Sequence, residues 1–188
     1  MRKLERDVVI LAAMATDMDA YIVSDVLFWP MQQSGMPKLT LGGYLMRQHR
    51  LLALISTLNR GDQAQVETAV TCFNQALVEK IVRFEKKAHW ELGARIRQWT
   101  EYLREVGGEG APSRAFYATA VDARAMISAL IEKMEMPPYQ LDPQIPGRVD
   151  SIDKNLRQRW QPGKFVWPNS WQPAYPKTDY WWLYGQPV

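Results

Sequence analysis

The sequence predicts an all-α protein: an antiparallel bundle of four or five helices with one long third helix and an extended C-terminal tail rich in proline and tryptophan. Three observations predict it. Apolar residues recur every three or four positions in four separate stretches, glycine and proline punctuate the joints between them, and the composition changes after Met136. The chain therefore divides into a helical bundle over 1–136 and a tail over 137–188, with a short helix near 151–159.

The third stretch organises the bundle. Between Asp62 and Val106 its apolar positions are Val66, Val70, Phe73, Leu77, Ile81, Phe84, Ala88, Leu92, Ile96, Trp99, Leu103 and Val106. Their steps average about 3.6, the period of a straight α-helix, where a coiled-coil seam would average about 3.5. One unbroken helix of that length would span roughly 65 Å. Gly61 suits the close of the preceding helix, Asp62 suits an N-cap, and Gln65 stands where a capping box needs it. Gly107-Gly108 ends the stretch. Gly93 lies inside it and costs roughly 1 kcal/mol relative to alanine. Two readings stay open: tolerance or close packing against a neighbour, and a bend near Lys87–Gly93 that makes two shorter helices.

The first helix carries Leu4, Val8, Leu11, Ala15, Met18, Ile22 and Val26 on one face and should stop at Trp29-Pro30, where proline removes a donor. Pro30–Thr40 forms a loop, and Thr40 caps a second helix with the stripe Leu41, Leu45, Leu52, Ile55 and Leu58. Gly107–Pro112 makes a turn and Ser113 caps a fourth helix, whose buried side is Phe116, Ala120, Ala123, Ile127, Leu130 and Met134; Pro137-Pro138 ends it. Amphipathic helices with mostly short joints pack antiparallel.

The tail holds nine of the twelve prolines and five of the eight tryptophans. A chain so broken by proline runs extended, yet so many rings need shielding from water. The tail is therefore expected to dock, either on its own bundle or on a second chain. Trp167, Trp171, Tyr180, Trp181, Trp182 and Tyr184 are its candidate partner-binding residues, because rigid aromatics serve as anchors.

The net charge of +3 is mild, and seven Lys/Arg match seven Asp/Glu within Asp62–Val106. Glu79/Arg83 and Glu91/Arg95 have the favourable i,i+4 order of a solvated face. The single Cys72 excludes an intramolecular disulfide and an all-cysteine metal cage, and its place beside the apolar stripe reads as a small buried hydrophobe. The basic residues before Val8–Ala15 resemble a secretion signal, but Glu5 and Asp7 argue against one. No stretch approaches the roughly 20 apolar residues of a membrane span, so a soluble, cytoplasmic protein that avoids membranes is expected.

Motifs that would identify a reaction are missing. There is no phosphate loop, no dinucleotide fingerprint after a strand and no nucleophile elbow, so no catalytic residue, metal ligand or cofactor is assigned. Neither histidine has Glu three positions before it, as a carboxylate-bridged metal bundle would require. A looser polar pocket can be drawn from Asp17, Asp25, His49, Glu85 and His89, joined by Asp122, and Asp17, Asp19 and Asp25 are candidate ion-pair partners for Arg47 or Arg50. Arg47, Arg50, Arg157 and Arg159 are locally unmatched and are the candidate nucleic-acid contacts, with Trp160 beside the last two for stacking.

Periodicity alone supports the bundle, and a bundle does not specify a function. The first expectation is a non-enzymatic interaction or assembly protein, a subunit of a homo- or hetero-complex, using the long helix and the tail as contact surfaces with another protein chain. Two alternatives stand beside it: a small-molecule or metal-binding bundle, which would include an enzyme, and an accessory nucleic-acid-binding subunit.

Overall fold

A computed structural model of the chain describes residues 3–106 and 116–188. The protein is mostly α-helical, as expected, with helices α1 (Lys3–Val23), α2 (Leu41–Ala53), α3 (Arg60–Glu79), α4 (Ile81–Val106), α5 (Tyr117–Ala120), α6 (Asp122–Met134) and α7 (Gln144–Arg157). Strands β1 (Trp160–Phe165) and β2 (Tyr184–Pro187) form one small antiparallel sheet. Helix α3 packs along α1 and α4 packs along α6, while α2 runs between the two pairs and touches α1, α4 and α6. Every residue from Leu41 to Met46 is buried.

The long third helix is two helices, and the break falls at Lys80, not near Gly93. Lys80 leaves helical geometry at φ −134° and ψ 38° while its N–H bonds to the carbonyl of Leu77 at 3.0 Å. Its ammonium pairs with Asp19 of α1. The turn lets α3 bury Val66, Ala69, Phe73, Ala76 and Leu77 against α1 while α4 buries Phe84, Ala88, Leu92, Ile96 and Trp99 toward α6. One straight rod could not reach both neighbours. The cap is also one turn earlier than expected: Asn59 Oδ1 accepts from the N–H of Asp62 at 2.9 Å, and Gly61 lies inside the helix.

The first helix ends six residues sooner than its proline implies. After Val23 the Ser24 hydroxyl bonds the carbonyl of Tyr21, and Lys87 Nζ reaches across from α4 to the carbonyls of Ser24 (2.9 Å) and Val26 (2.8 Å). A lysine thus binds carbonyls at and beyond the helix end, a favourable place for positive charge. Val26 is left exposed. Thr40 caps α2 as expected, its hydroxyl accepting from Gly43 N–H at 2.9 Å. The expected turn at Gly107–Pro112 and the cap at Ser113 lie outside the described residues. Phe116, expected inside, is 63% exposed, because the chain winds through α5 before α6 begins. Cys72 is exposed too: it lies beside the buried face of α3, not in it.

The tail is more structured than an extended ribbon. Helix α7 begins at Gln144, earlier than expected, and is clamped to α6 by a two-pronged Arg124–Asp153 pair at 3.0 and 2.8 Å. Strand β1 then pairs with β2 with a bulge between Pro162 and Phe165. Gly185, at φ +148°, permits this pairing, since a Cβ there would lie 2.2 Å from the carbonyl oxygen of Gln161. The tail rings face their own bundle: Trp167, Tyr175, Trp182 and Tyr184 are all buried, and so is Leu183.

Helix α4 runs unbroken through Gly93, and a Cβ there would meet only the tip of Arg97 at 3.9 Å. Gly93→Ala should therefore raise stability by about 0.5–1 kcal/mol, seen as a higher urea midpoint with unchanged slope.

Candidate functional site

The expected polar pocket does not assemble. Asp17 accepts from the indole of Trp29 at 3.3 Å, and Asp25 is exposed. Glu85 and His89 both hold the segment after α6: Gln140 N–H donates to Glu85 Oε1 at 2.8 Å and Asp142 N–H donates to His89 Nε2 at 3.0 Å. The other ring nitrogen of His89 faces the carbonyl of Glu85 at 2.9 Å, so the neutral ring with its proton on Nδ1 satisfies both contacts. His49 points elsewhere, toward the tail, with Nε2 at 2.9 Å from the carbonyl of Ala174 and 3.4 Å from the Tyr180 hydroxyl. Among the described residues no three His, Cys, Asp or Glu side chains converge to hold a metal ion.

Two ionic centres occupy the interior instead. In the first, Glu91 is fully buried and receives the N–H of Gly42 at 2.9 Å, at the start of α2, and the guanidinium of Arg95 at 3.2 Å. Arg95 also donates to the Thr40 hydroxyl at 3.3 Å. A carboxylate at a helix N-terminus gains from both the free N–H groups and the helix dipole. The expectation of a solvated Glu91/Arg95 pair is thereby corrected. Glu79 sits 3.6 Å from Lys80, while Arg83 bonds the carbonyl of Val23 at 3.1 Å.

In the second centre Arg50 is buried and bonds Asp7 of α1 at 2.5 Å. Arg47 lies 3.4 Å from the other oxygen of Asp7. The Arg50 Nε–H donates to the Tyr175 hydroxyl at 3.2 Å, and its guanidinium stacks 3.5 Å above the Trp171 ring, with Trp167 at 5.3 Å. Burial pushes the Asp122 carboxyl up to about 6, against the pull of Arg50 and Arg47. Burial likewise lowers the Arg47 guanidinium and raises the Tyr175 phenol. The expected partners Asp17, Asp19 and Asp25 are replaced by Asp7. Arg47 and Arg50, turned inward and paired, are not placed to meet phosphate. Arg157 remains exposed over the Trp181 ring at 4.0 Å, and Arg159 donates to the carbonyl of Leu103.

The tail residues expected to bind a partner bind this chain. Tyr117 donates to the carbonyl of Trp182 at 2.6 Å, Trp167 to that of Ala118 at 2.9 Å, and Tyr184 to that of Tyr175 at 2.7 Å. Trp181 packs edge-on to Trp160, and Tyr180 edge-on to Tyr175. What stays outside is a different surface. Val78 is 74% exposed, Val82 76% and Trp90 48%, on either side of the α3–α4 break and along the outer face of α4. Nothing in the sequence marked this face beyond Val82 and Trp90 lying off the buried stripe.

No protein-family model, curated protein or solved structure matches the chain. No helix among the described residues is long and apolar enough to cross a membrane.

The Asp122 carboxyl, ordinarily near 3.8 and about 6 in the fold, binds its proton more tightly when folded. Its contribution therefore favours the native state at low pH and is lost as pH rises from about 4 to 6. Asp122→Asn should remove that loss. Measured against wild type, its urea-derived stability advantage should grow by about 2–3 kcal/mol across this window and level off above it. Asp7→Ala, which strands the buried Arg50, should destabilise by roughly 3–5 kcal/mol at neutral pH.

Proposed function

We propose that the protein is a non-enzymatic helical interaction module, a subunit that joins another protein chain through the outer face of α4. The observation that carries this is the exposure of Val82 and Trp90, two helical turns apart on one side of α4. Gly93 follows Trp90 by one turn, and the notch left by its missing side chain holds nothing closer than the Arg97 tip. A half-exposed tryptophan beside such a notch has the form of an anchor for a neighbouring helix.

The charge on this face indicates the kind of partner. Arg83, Lys86 and Arg97 flank Val82, Trp90 and Gly93. Two copies crossing antiparallel at Trp90 and Gly93 would set Lys86 against Arg97, a repulsive pairing. An acidic helix with aliphatic residues on one side would meet the same face with opposite charge. The partner is therefore a different chain, and the complex a hetero-complex. A cytoplasmic setting belongs to this proposal, since an exposed unpaired Cys72 suits a reducing compartment.

The buried ionic groups support a scaffold role, because both centres bind the chain's own helices and tail. The nucleic-acid alternative loses Arg47 and Arg50 to the interior. The small-molecule alternative rests on a separate feature, the cleft between α2, α3 and α6.

Isolation of the protein from its native source, followed by native mass spectrometry and hydroxyl-radical footprinting, tests the proposal. The expected result is a complex with an acidic chain in which Trp90 is protected from oxidation. Trp90→Glu should weaken that complex by about 30-fold or more, the scale of an anchor residue, with unchanged circular dichroism. A chain that is monomeric in every preparation, with Trp90 oxidised at the rate of a free surface ring, overturns it.

A further inference from the structure

We propose that the cleft between α2, α3 and α6 is a binding site for a small aliphatic zwitterion, a molecule carrying a carboxylate and an adjacent ammonium on a short branched hydrocarbon body. The cleft has a volume of about 490 Å³, within the range of small-molecule pockets. Leu45 and Leu52 from α2, Val70 from α3, and Ala129 and Met136 at the α6 end give it apolar walls. Gln48, His49, Asn74, Glu132 and Lys133 supply its polar groups. It is separate from the outer face of α4 and does not rest on the interaction proposed there.

Two groups in the cleft, Lys133 and Glu132, are uncommitted to the fold in a way that specifies a ligand. Lys133 is half-buried and makes no ion pair with the described residues; its ammonium lies over the rings of Tyr139 and Phe73, at 5.6 and 5.9 Å. An ammonium removed from bulk water without a counter-ion gains by meeting a carboxylate. Burial lowers its affinity for a proton, in keeping with a missing counter-charge. Glu132 is exposed at the cleft edge, 3.9 Å from His49 Nδ1, and is not otherwise paired.

These requirements select among ligand classes. A phosphate needs more than one cation, and among the described residues Lys133 is the only lysine or arginine lining the cleft. Glu132 would also repel a dianion. A purely apolar ligand would leave Lys133 without a counter-charge. A molecule whose carboxylate meets Lys133 and whose ammonium meets Glu132 satisfies both at once, and its hydrocarbon body covers Leu45, Leu52 and Val70.

Titration of the full-length protein with L-leucine, followed by amide chemical-shift changes, tests this. Saturable shifts should cluster on α2, α3 and α6 around the cleft. Leucinamide, without the carboxylate, and 4-methylpentanoate, without the ammonium, should each bind at least several-fold more weakly. Lys133→Met should weaken leucine binding about tenfold or more, and Glu132→Gln should weaken it several-fold, both with unchanged circular dichroism. Absence of saturable shifts with leucine in wild type, or equal affinity in a folded Lys133→Met variant, overturns the proposal.

Discussion

The buried carboxylate of Glu91 is the constraint on which the rest of the architecture depends. A carboxylate taken out of water must be met by donors from every side. Here Gly42 N–H and the Arg95 guanidinium meet it, and Thr40, the cap of α2, binds the same guanidinium. The arrangement leaves no room for a side chain at position 42, where a Cβ would lie 2.7 Å from Glu91 Oε1 and 3.0 Å from Met126 Cβ. It therefore sets both the depth and the rotation of α2. That rotation in turn aims Arg47 and Arg50 at Asp7 and aims His49 at the tail.

The tail shows how irregular backbone is made tolerable in a core. Its proline-rich segment has few strand or helix partners for its carbonyls, and buried carbonyls need donors. The aromatic residues supply both needs together, since the ring body is apolar and the O–H or N–H at its tip is a donor. Tyr117 serves Trp182 and Tyr184 serves Tyr175 in this way, and Trp167 ties the tail to the carbonyl of Ala118 in α5. Arg50 adds a charged plate over Trp171. The enrichment in tryptophan and tyrosine is thus a substitute for secondary structure as well as a source of buried area.

Much of this was legible from spacing. The helical stripes found the main helices, the Thr40 cap and most of the core, and the aromatic content of the tail required it to be shielded. Four features were not legible, each for a physical reason. The break at Lys80 keeps Leu77 and Ile81 four apart, so the apolar phase passes through it unchanged. Glu91 and Arg95 have the same spacing as a solvated surface pair, and only Gly42, 49 residues away, reveals their burial. Asp7 and Arg50 are likewise 43 residues apart. The cleft walls come from three helices whose polar residues share no local pattern. Sequence periodicity reports which face of an element is buried, and long-range ion pairs report against what; the second kind of information is not periodic.

The sheet formed by β1 and β2 carries an implication for the order in which the molecule is made. Tyr175, Trp182 and Leu183 are core residues, and Arg50 and His49 meet their tail partners across 125 residues or more of chain. Helices emerging first from a ribosome must therefore wait with Tyr117 and the Asp7–Arg50 pair partly uncovered until the tail arrives. Contacts of such wide separation slow folding and prolong the exposure of apolar surface. A nascent chain of this protein is consequently a natural client for chaperones that hold unfinished hydrophobic faces, and premature stop products that lack the tail are natural substrates for proteolysis.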